Sequence, residues 1–305
     1  MTRRRRIVTG IVATPLVAFG VVVALVAAWL AGFSVPGVSA ATWMTVTKNG
    51  TATYSPQHAE PVFFLVIGND ERAGVSGARG DALHLVGVNP VTNQATILNF
   101  PRDTALPIPG HGTDKVNAAN VYGGPRLTAD TIGQAVGVNI PYTVETNFDG
   151  FISLIDEMGG VDVDVPTRMV DKDSGSDFEP GPQRLSGERA LAFSRDRKTF
   201  PTGDIARSTN QAILMIGALG QIQRETTTAA SQFRAIAIAA RHTHIDGIGL
   251  RELYDLYQLA MRIDPAQVRN VTVPLASGSG SNLRLTAAAE PLFADFRDDA
   301  VLQAN

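Results

Sequence analysis

The feature that most constrains the fold is a continuous apolar run at residues 62–67, which reads Val-Phe-Phe-Leu-Val-Ile. A short apolar run of this kind is typical of a strand that is buried on both faces. Residues 82–89 and 94–100 are two further strand-like runs, and the Pro-Val-Thr-Asn segment between them predicts a hairpin. The chain must therefore cover both faces of a sheet with other elements.

Helices and strands alternate through the rest of the chain. Apolar residues recur at helical spacing over residues 126–136, 148–158, 186–193, 205–224, 229–240, 250–263 and 287–302. Strand-like segments occupy residues 142–146, 161–165 and 268–273, whereas residues 167–184 form a polar excursion. Interleaved elements of both types predict an α/β or mixed α+β fold.

The N-terminus predicts a membrane anchor. A basic cluster, Arg3 to Arg6, precedes residues 7–33, which contain no charged side chain. A bilayer-spanning helix needs about 20 apolar residues, whereas the apolar region of a signal peptide has only about 7–15. We therefore favour an uncleaved anchor over a signal peptide cleaved after residues 38–40. The arginines should remain cytoplasmic, which leaves the rest of the chain outside the cell.

This topology predicts four parts along the chain. Residues 1–6 form a cytoplasmic basic segment and residues 7–33 a transmembrane anchor. Residues 34–60 form an extracytoplasmic linker with a short strand near 41–46, and residues 61–305 form the main domain. The net charge of −3 argues against nucleic acid as a partner. The absence of cysteine excludes disulfides and thiolate chemistry.

A loop at residues 98–125 carries charge at a few positions, among them Arg102, Asp103 and Lys115. Pro101 restricts the backbone immediately before Arg102, so the guanidinium leaves the strand end in a defined direction. The planar fork of Arg102 suits phosphate oxygens, and Lys115 adds a point charge for the same ligand. The alternative is an ordinary surface loop with an Arg–Asp ion pair.

Other charged side chains also lie at the ends of regular elements, where α/β folds place ligand sites. They are Asp70, Arg72, Arg79, Asp81, Arg195, Arg197, Asp204 and Arg207. Gln211 shares one helix face with the last two because the spacings are three and four. Singly, each is explained as a solvated charge. Jointly, they predict an anionic ligand together with a divalent cation, which commonly takes one or two carboxylates plus phosphate.

No side chain is a convincing protein nucleophile, because the chain has neither cysteine nor a Gly-x-Ser-x-Gly turn. His242 and His244 have no third ligand nearby, which favours surface positions over a zinc site. His84 alternates with Leu83 and Leu85 in a strand and is expected to be a packed or edge residue. His111, in the central loop, is a weak candidate for substrate contact.

The order of motifs resembles a known family. The runs IGND, RGDALHL, FPRDTALPIPGHGTDKVNAANVYGGP, NFDGFISLIDEMGGVDVDVP, LSGERALAFSRDRK and GDIARSTNQ are similar to those of the LytR-CpsA-Psr family of cell-wall glycopolymer transferases. The likeness extends over about residues 61–219. It implies a three-layer α-β-α sandwich with a central mixed sheet and a hydrophobic tunnel for a polyprenyl tail.

The resemblance also implies a reaction and its partners. Such an enzyme takes a glycopolymer from a polyprenyl-pyrophosphate carrier and links it through a phosphodiester to a muramic-acid hydroxyl of peptidoglycan. The acceptor hydroxyl attacks phosphorus, so no protein nucleophile is required, and the protein positions the reactants and neutralises charge.

The resemblance also implies site residues, motif by motif. Asp70 and Asp81 would hold Mg²⁺ or Mn²⁺, and Asp81 is also a candidate to take the acceptor proton. Asp204 would orient the arginines or contact the metal indirectly. The pyrophosphate would be held by Arg79, Arg102, Arg195, Arg197, Arg207 and Gln211. The sequence departs from the usual family pattern at Asn69 and Gly80, where serine is common, and at Asn210, where arginine is common.

Two other functions fit the same residues. One is a membrane-anchored phosphohydrolase in which water replaces the acceptor hydroxyl, and the other is a non-catalytic regulatory or wall-binding module. A lipid carrier would require a particular feature in the structure. An elongated apolar cavity should lie between the sheet and one helical layer, lined by residues 148–158 and 205–219 and opening at Arg102, Arg195 and Arg207. Ordinary core packing would leave no such void.

Overall fold

The computed structural model describes residues 44–69, 80–228, 230–232, 235, 243–278 and 280–303. The predicted anchor at 7–33 and most of the predicted helix at 229–240 lie outside these residues. Among the described residues, no helix combines the length and the apolar character needed to cross a bilayer.

Strands and helices interleave along the described residues, and several short strands add to those predicted. The strands are Met44–Lys48 (β1), Val62–Asn69 (β2), Gly80–Asn89 (β3), Gln94–Asn99 (β4), Ala105–Ile108 (β5), Gly112–Lys115 (β6), Tyr142–Asn147 (β7), Val161–Val165 (β8), Met169–Asp171 (β9), Ser176–Phe178 (β10), Gly181–Leu185 (β11), Thr243–Asp246 (β12), Arg269–Thr272 (β13), Leu275–Ser277 (β14) and Leu283–Leu285 (β15). The helices are Val116–Val136 (α1), Phe148–Glu157 (α2), Gly187–Arg195 (α3), Asp204–Glu225 (α4), Leu250–Ala260 (α5) and Ala289–Asp299 (α6), with a short 3₁₀ turn at Pro265–Gln267.

A seven-stranded sheet in the order β12-β1-β7-β2-β3-β4-β13 organises the molecule. β12 pairs with β1, β7 with β2 and β4 with β13 in parallel, whereas the other neighbours are antiparallel. The prediction of a mixed α/β fold with a central mixed sheet is therefore confirmed. β1 comes from the segment that we expected to be linker, so the folded unit includes residues upstream of position 61.

The predicted hairpin is present as β3 and β4, which pair with Asn89 opposite Gln94. Asn93 takes the left-handed backbone conformation that the turn requires, with φ of 58°. Asparagine visits this region more readily than most residues, since its short side chain bonds locally.

The two faces of the sheet bury different layers. Side chains that alternate along β2 and β3, such as Leu65, Ile67 and Leu83, pack with Ile132 of α1 and Phe296 of α6. The intervening side chains point to the opposite face, which α2, α4 and α5 cover. A satellite core joins α2, α3 and α4 to the small strand pairs β8–β11 and β9–β10.

Two predicted irregular segments are more ordered than expected. The loop at 98–125 contains the β5–β6 hairpin and the first turns of α1, which break at Gly123 and Gly124 before Pro125 restarts the helix. The backbone N–H groups of Val116 and Asn117 donate to the carbonyls of Thr104 and Arg102, which holds this start in place. The polar excursion at 167–184 forms β9, β10 and part of β11. Strand pairing and burial order both segments, and local composition carries little of that information.

Candidate functional site

A cavity of about 1060 Å³ lies between the sheet and the layer formed by α2 and α4. Its sheet side includes Val66 and Val144, and its helical side includes Phe151, Leu214 and Ala218. Arg102, Arg195 and Arg207 all line it. The prediction of an apolar cavity at these arginines is confirmed. Ordinary core packing does not account for a space of this size, because close-packed cores leave few voids larger than a water molecule.

Helix periodicity explains the apolar walls. In α2 and α4, positions three and four apart fall on one face, so Phe151, Leu154 and Ile155 face the same space as Leu214 and Ala218. On the sheet, alternation sends Val66 and Gly68 into the cavity while Leu65 and Ile67 enter the core behind it. Regular elements therefore form the apolar walls of the cavity.

The polar end of the cavity is organised by Asp81 of β3. One guanidinium nitrogen (NH1) of Arg102 donates to Asp81 Oδ1 at 2.7 Å. Burial alone would lower the pKa of Arg102, but the hydrogen bond and charge of Asp81 raise it above its ordinary value. Arg102 follows β4, as predicted, and Thr104 stabilises the turn by donating from Oγ1 to the carbonyl of Pro101 at 2.6 Å.

Arg207, on the first turn of α4, is the most deeply buried cation of the site, with 4% of its side chain exposed. Its NH2 group forms an ion pair with Asp204 Oδ1 at 2.9 Å and donates a hydrogen bond to the backbone carbonyl of Asp81 at 2.8 Å. Burial lowers the pKa of Arg207 to about 10, opposed by Asp204 and reinforced by the neighbouring arginines. The guanidinium therefore stays charged at neutral pH.

Arg195 and Arg197 approach from the end of α3. The guanidinium of Arg195 lies 5.2 Å from the centre of the Phe148 ring, a cation–π distance. Arg197 Nε lies 3.4 Å from Asp204 Oδ1, and its backbone N–H donates to Asp171 Oδ2 at 3.1 Å. Burial would raise the pKa of Asp171, but several backbone N–H donors hold it below its ordinary value.

Three buried charged atoms of this cluster have no hydrogen-bond partner within the described part of the chain: Arg102 Nε, Arg207 Nε and Asp204 Oδ2. A buried polar group without a partner costs about 1–3 kcal/mol, and more if it is charged. Two of them are cationic donors beside an apolar cavity. An anionic ligand would satisfy these donors.

Gln211 and Lys115 take different positions. Gln211 lines the cavity and donates from Nε2 to the carbonyl of Ser194 at 3.2 Å. Lys115 is not among the residues that line the cavity. Its ammonium instead contacts Asp103 Oδ1 at 2.6 Å and Ser281 Oγ at 2.8 Å. Lys115 therefore neutralises Asp103 beside Arg102, and the structure does not bring it to the ligand space. Asp70 and Arg79 lie outside the described residues.

Residues that the sequence did not single out also line the cavity. Asp171, Asp173 and Lys198 stand at its polar side, and Lys198 Nζ lies 2.5 Å from Asp173 Oδ2. Asp171 and Asp173 belong to the segment that we treated as a polar excursion, where only the repeated acidic residues hinted at a site, and Lys198 follows the end of α3. His84 is buried, as predicted, but it also faces the cavity. His111 stacks on Tyr122 and lies away from the cavity lining.

Two carboxylates beside the arginines offer oxygen donors for a divalent cation. Asp81 offers a carboxylate at the polar end, and Asp204 Oδ2 is buried without a partner among the described residues. Oxygen donors of this kind suit Mg²⁺, which takes one or two carboxylates and completes its shell with phosphate and water. The described residues contain no group of three or more histidine, cysteine, aspartate or glutamate side chains that would hold a metal by itself. The residues present thus fit a cation that is shared with a phosphate ligand.

A model of the LytR_cpsA_psr family matches residues 36–294. The chain belongs to the LytR_cpsA_psr family. A curated relative within it is the polyisoprenyl-teichoic acid–peptidoglycan teichoic acid transferase TagU of Bacillus mycoides, which is 38% identical over 169 residues. That match covers 55% of each chain, so this chain spans about half the length of the curated relatives it matches.

Solved structures of the family share the fold. The structure of B. subtilis TagV superposes with a TM-score of 0.67 at 25% identity, covering 81% of this chain and 100% of TagV. A TagT structure with bound octaprenyl pyrophosphate lipid superposes with a TM-score of 0.61 at 22% identity, covering 82% of this chain and 93% of that chain.

The structure accounts for two of the three departures from the usual family pattern. Asn69 is buried and donates from Nδ2 to Glu145 Oε1 at 3.1 Å, so it links β2 to β7. A Cβ at Gly80 would lie 3.2 Å from Leu83 and 3.3 Å from Ile67, which leaves little room for serine. Asn210 is buried but does not line the cavity. Nothing in the structure explains the choice of asparagine there.

Proposed function

We propose that this protein transfers a glycopolymer from a polyprenyl-pyrophosphate carrier to a muramic-acid hydroxyl of peptidoglycan. The observation that carries the proposal is an apolar cavity that ends at Arg102, Arg195, Arg197 and Arg207. A ligand that is apolar along its length and doubly phosphorylated at one end matches both parts. The names of the relatives support this choice, since TagU is a teichoic acid transferase and TagT has been seen with octaprenyl pyrophosphate.

The transfer is a displacement at phosphorus. The acceptor hydroxyl oxygen forms a bond to the phosphorus that carries the glycopolymer, and the bridging P–O bond of the pyrophosphate breaks. Polyprenyl monophosphate leaves with the bridging electrons, and we assign the hydroxyl proton to the Asp81 carboxylate. Arg102 and Arg207 stabilise the charge that develops on the phosphate oxygens, which is usually the largest catalytic contribution in such sites.

Burial strengthens this electrostatic effect. Arg207 is held rigidly by Asp204 and by the Asp81 carbonyl, so little reorganisation is needed when the phosphate charge shifts. Asp204 acts on the arginines and orients them, and the Asp81 side chain does the same for Arg102. The apolar tail of the carrier contributes binding at about 0.8 kcal/mol per buried CH₂. That contribution positions the pyrophosphate without any contact to the reacting atoms.

A divalent cation, Mg²⁺ or Mn²⁺, belongs to this proposal. Asp81 would hold it together with Asp70, and when bound it neutralises pyrophosphate charge. Chelation with EDTA should abolish transfer, and added Mg²⁺ or Mn²⁺ should restore it. Full transfer activity in excess EDTA would exclude the cation.

The direct test is reconstituted transfer. The full chain in detergent is mixed with a polyprenyl-pyrophosphate-linked saccharide and a soluble peptidoglycan oligomer, and products are resolved by mass spectrometry. A saccharide joined to the muramic acid by one phosphate supports the proposal. Release of saccharide phosphate with no acceptor adduct would instead identify a phosphohydrolase. Turnover of neither kind, with intact binding, would indicate a non-catalytic module.

A further inference from the structure

A directional chain of hydrogen bonds ends at His84, on the floor of the cavity. It begins at the backbone carbonyl of Thr209, which can only accept a hydrogen bond. Asn270 donates to this carbonyl from Nδ2 at 3.2 Å. Asn270 Oδ1 must then accept, and it receives Nδ2 of Asn99 at 2.7 Å. Asn99 therefore presents Oδ1 to His84 Nδ1, at 2.7 Å. Since that oxygen accepts, Nδ1 of His84 carries a hydrogen.

A second anchor fixes the other side of the ring. The carbonyl of Ser194 accepts from Nε2 of Gln211 at 3.2 Å. Gln211 consequently turns its Oε1 atom toward His84 Nε2, at 3.2 Å. Both nitrogens of the imidazole thus face oxygen acceptors that backbone carbonyls hold in place.

A neutral imidazole cannot satisfy this arrangement. It has one N–H, which the shorter contact assigns to Nδ1, so the lone pair of Nε2 faces the lone pairs of Gln211 Oε1. A second proton on Nε2 would turn the mismatch into a hydrogen bond. Without that proton, the contact is relieved only if the Gln211 amide turns and gives up its bond to Ser194.

The charges around His84 explain why the second proton is absent in the free protein. His84 is 1% exposed, and burial lowers its pKa to about 4, opposed by Asn99 and Gln211 and reinforced by Arg207. From β2 and β4 the residues opposite His84 are Val66 and Asn99, which carry no charge. On its own strand, Asp81 is paired with Arg102. On α4, Asp204 is paired with Arg207.

A bound anion would favour the second proton on His84, because its negative charge would offset Arg207 and the other guanidinium groups that line the same cavity. We propose that binding of a pyrophosphate group at Arg207 and Gln211 is coupled to the uptake of one proton by Nε2 of His84. The resulting imidazolium fixes the Gln211 amide through Oε1 and adds a buried positive charge behind the arginines. The inference rests on the proposed function, since it takes the pyrophosphate of the carrier as the ligand. His84 acts here as a positioning residue, and the proton comes from solvent and returns to it on release.

The test counts protons. Farnesyl diphosphate is titrated into the full chain in detergent by calorimetry, in buffers of different ionisation enthalpy at one pH near 6. The dependence of the binding enthalpy on buffer gives the number of protons taken up. The diphosphate titrates as well, so the measurement is made on wild type and on His84→Gln and His84→Met, neither of which has an imidazole at this position. His244→Gln, at an exposed histidine on β12, is the matched control.

Wild type and His244→Gln should take up close to one proton more than either His84 variant. The affinity of wild type should also weaken more steeply with rising pH, by up to about tenfold per pH unit relative to the variants. A merely structural role of His84 would lower affinity without changing the proton count. If neither variant folds, the ¹⁵N resonances of the wild-type imidazoles serve instead, and a histidine that becomes doubly protonated on ligand addition is expected.

The outcomes separate this inference from the proposed function. Binding of farnesyl diphosphate with equal proton uptake in wild type and variants would overturn the role of His84 and leave the carrier site intact. In the resonance experiment, binding without a newly protonated histidine would do the same. Failure of farnesyl diphosphate to bind wild type at any pH would overturn the carrier site, and the inference with it.

Discussion

At the scale of single residues, Asp81 is the centre of the site because two different atoms of it hold two arginines. Its side chain accepts from Arg102, and its backbone carbonyl accepts from Arg207. The first bond depends on the carboxylate, whereas the second would survive any substitution that keeps the backbone. Replacing Asp81 should therefore release Arg102 while leaving Arg207 in place.

Arg102→Ala should reduce transfer by roughly 10²–10³-fold, the cost of removing one preorganised donor from comparable sites. The fold should persist, because Arg102 lies at a strand end and 27% of its side chain is exposed. Arg251→Ala is the matched control, since Arg251 is 76% exposed and pairs only with Asp255 among the described carboxylates. Initial rates and melting curves of both variants give the comparison. Near-normal transfer by Arg102→Ala would mean that the reacting phosphate lies elsewhere.

The arginines of the site are easier to predict from the sequence than the residues that position the other side chains. Arg102, Arg195 and Arg207 stand at element ends, and their residue type alone suggests phosphate. By contrast, the position of His84 depends on Asn99, Gln211 and Asn270, which are far from it along the chain. The placement of Lys115 beside Asp103 and Ser281 likewise arises only in the folded chain.

At the scale of elements, α4 joins the two halves of the site. Its first turns carry Arg207 and Gln211 to the polar end, and the following turns carry Leu214 and Ala218 along the apolar wall. Spacings of three and four keep all of these on one face. One helix therefore aligns the headgroup site with the tail cavity, so their relative position is fixed by helix geometry.

Ala218→Trp should fill part of the cavity and weaken binding of long polyprenyl diphosphates while sparing inorganic pyrophosphate. The physical reason is that the indole occupies space that the tail needs, whereas the arginines are untouched. Ile216→Trp lies on the same helix but faces the outer groove near Pro182, and it serves as control. Calorimetric affinities for both ligands give the readout. Equal loss of both ligands in Ala218→Trp would show that the wall and the headgroup site are not separable.

Close packing between α4 and β8 makes a separate prediction about stability. A Cβ at Gly217 would lie 2.4 Å from the carbonyl oxygen of Asp162, so the helix or the strand must move. Gly217→Ala should destabilise the fold by about 1–3 kcal/mol, as overpacking does elsewhere. Gly249→Ala, where a Cβ would meet nothing within 4 Å, should change stability little. Denaturant midpoints measure both, and an unchanged midpoint for Gly217→Ala would refute the tight packing.

Elements with a strong apolar pattern were predictable, whereas short elements that depend on tertiary contacts were not. β2, the β3–β4 hairpin, α2 and α4 follow from local apolar patterns. The early turns of α1 look like loop in sequence because Asn, Gly and Tyr dominate there, yet Val116 and Ala119 are fully buried. Tertiary burial overrode local propensity at that point.

At the scale of the whole molecule, the predicted anchor is consistent with a cavity for a membrane lipid. A carrier lipid resides in the membrane, so an anchored domain meets it without diffusing through solution. We propose that residues 7–33 span the membrane and that the folded domain lies outside the cell, on the side of the peptidoglycan. The basic cluster before residue 7 supports this orientation.

The natural lack of cysteine makes this topology easy to test. In intact cells, a membrane-impermeant maleimide should label Thr51→Cys, whose position is exposed, and should leave Thr2→Cys unlabelled. Both variants should label after the membrane is permeabilised. Labelling of Thr2→Cys in intact cells, with Thr51→Cys protected, would reverse the orientation.

The central claim is that the cavity holds a polyprenyl tail while the arginines hold its pyrophosphate. An X-ray structure of the domain with bound geranylgeranyl diphosphate tests it most directly. We expect phosphate oxygens within hydrogen-bonding distance of Arg102 and Arg207, and an isoprenoid chain between α2 and α4. A pyrophosphate bound away from these two arginines, or a tail outside the cavity, would contradict the account.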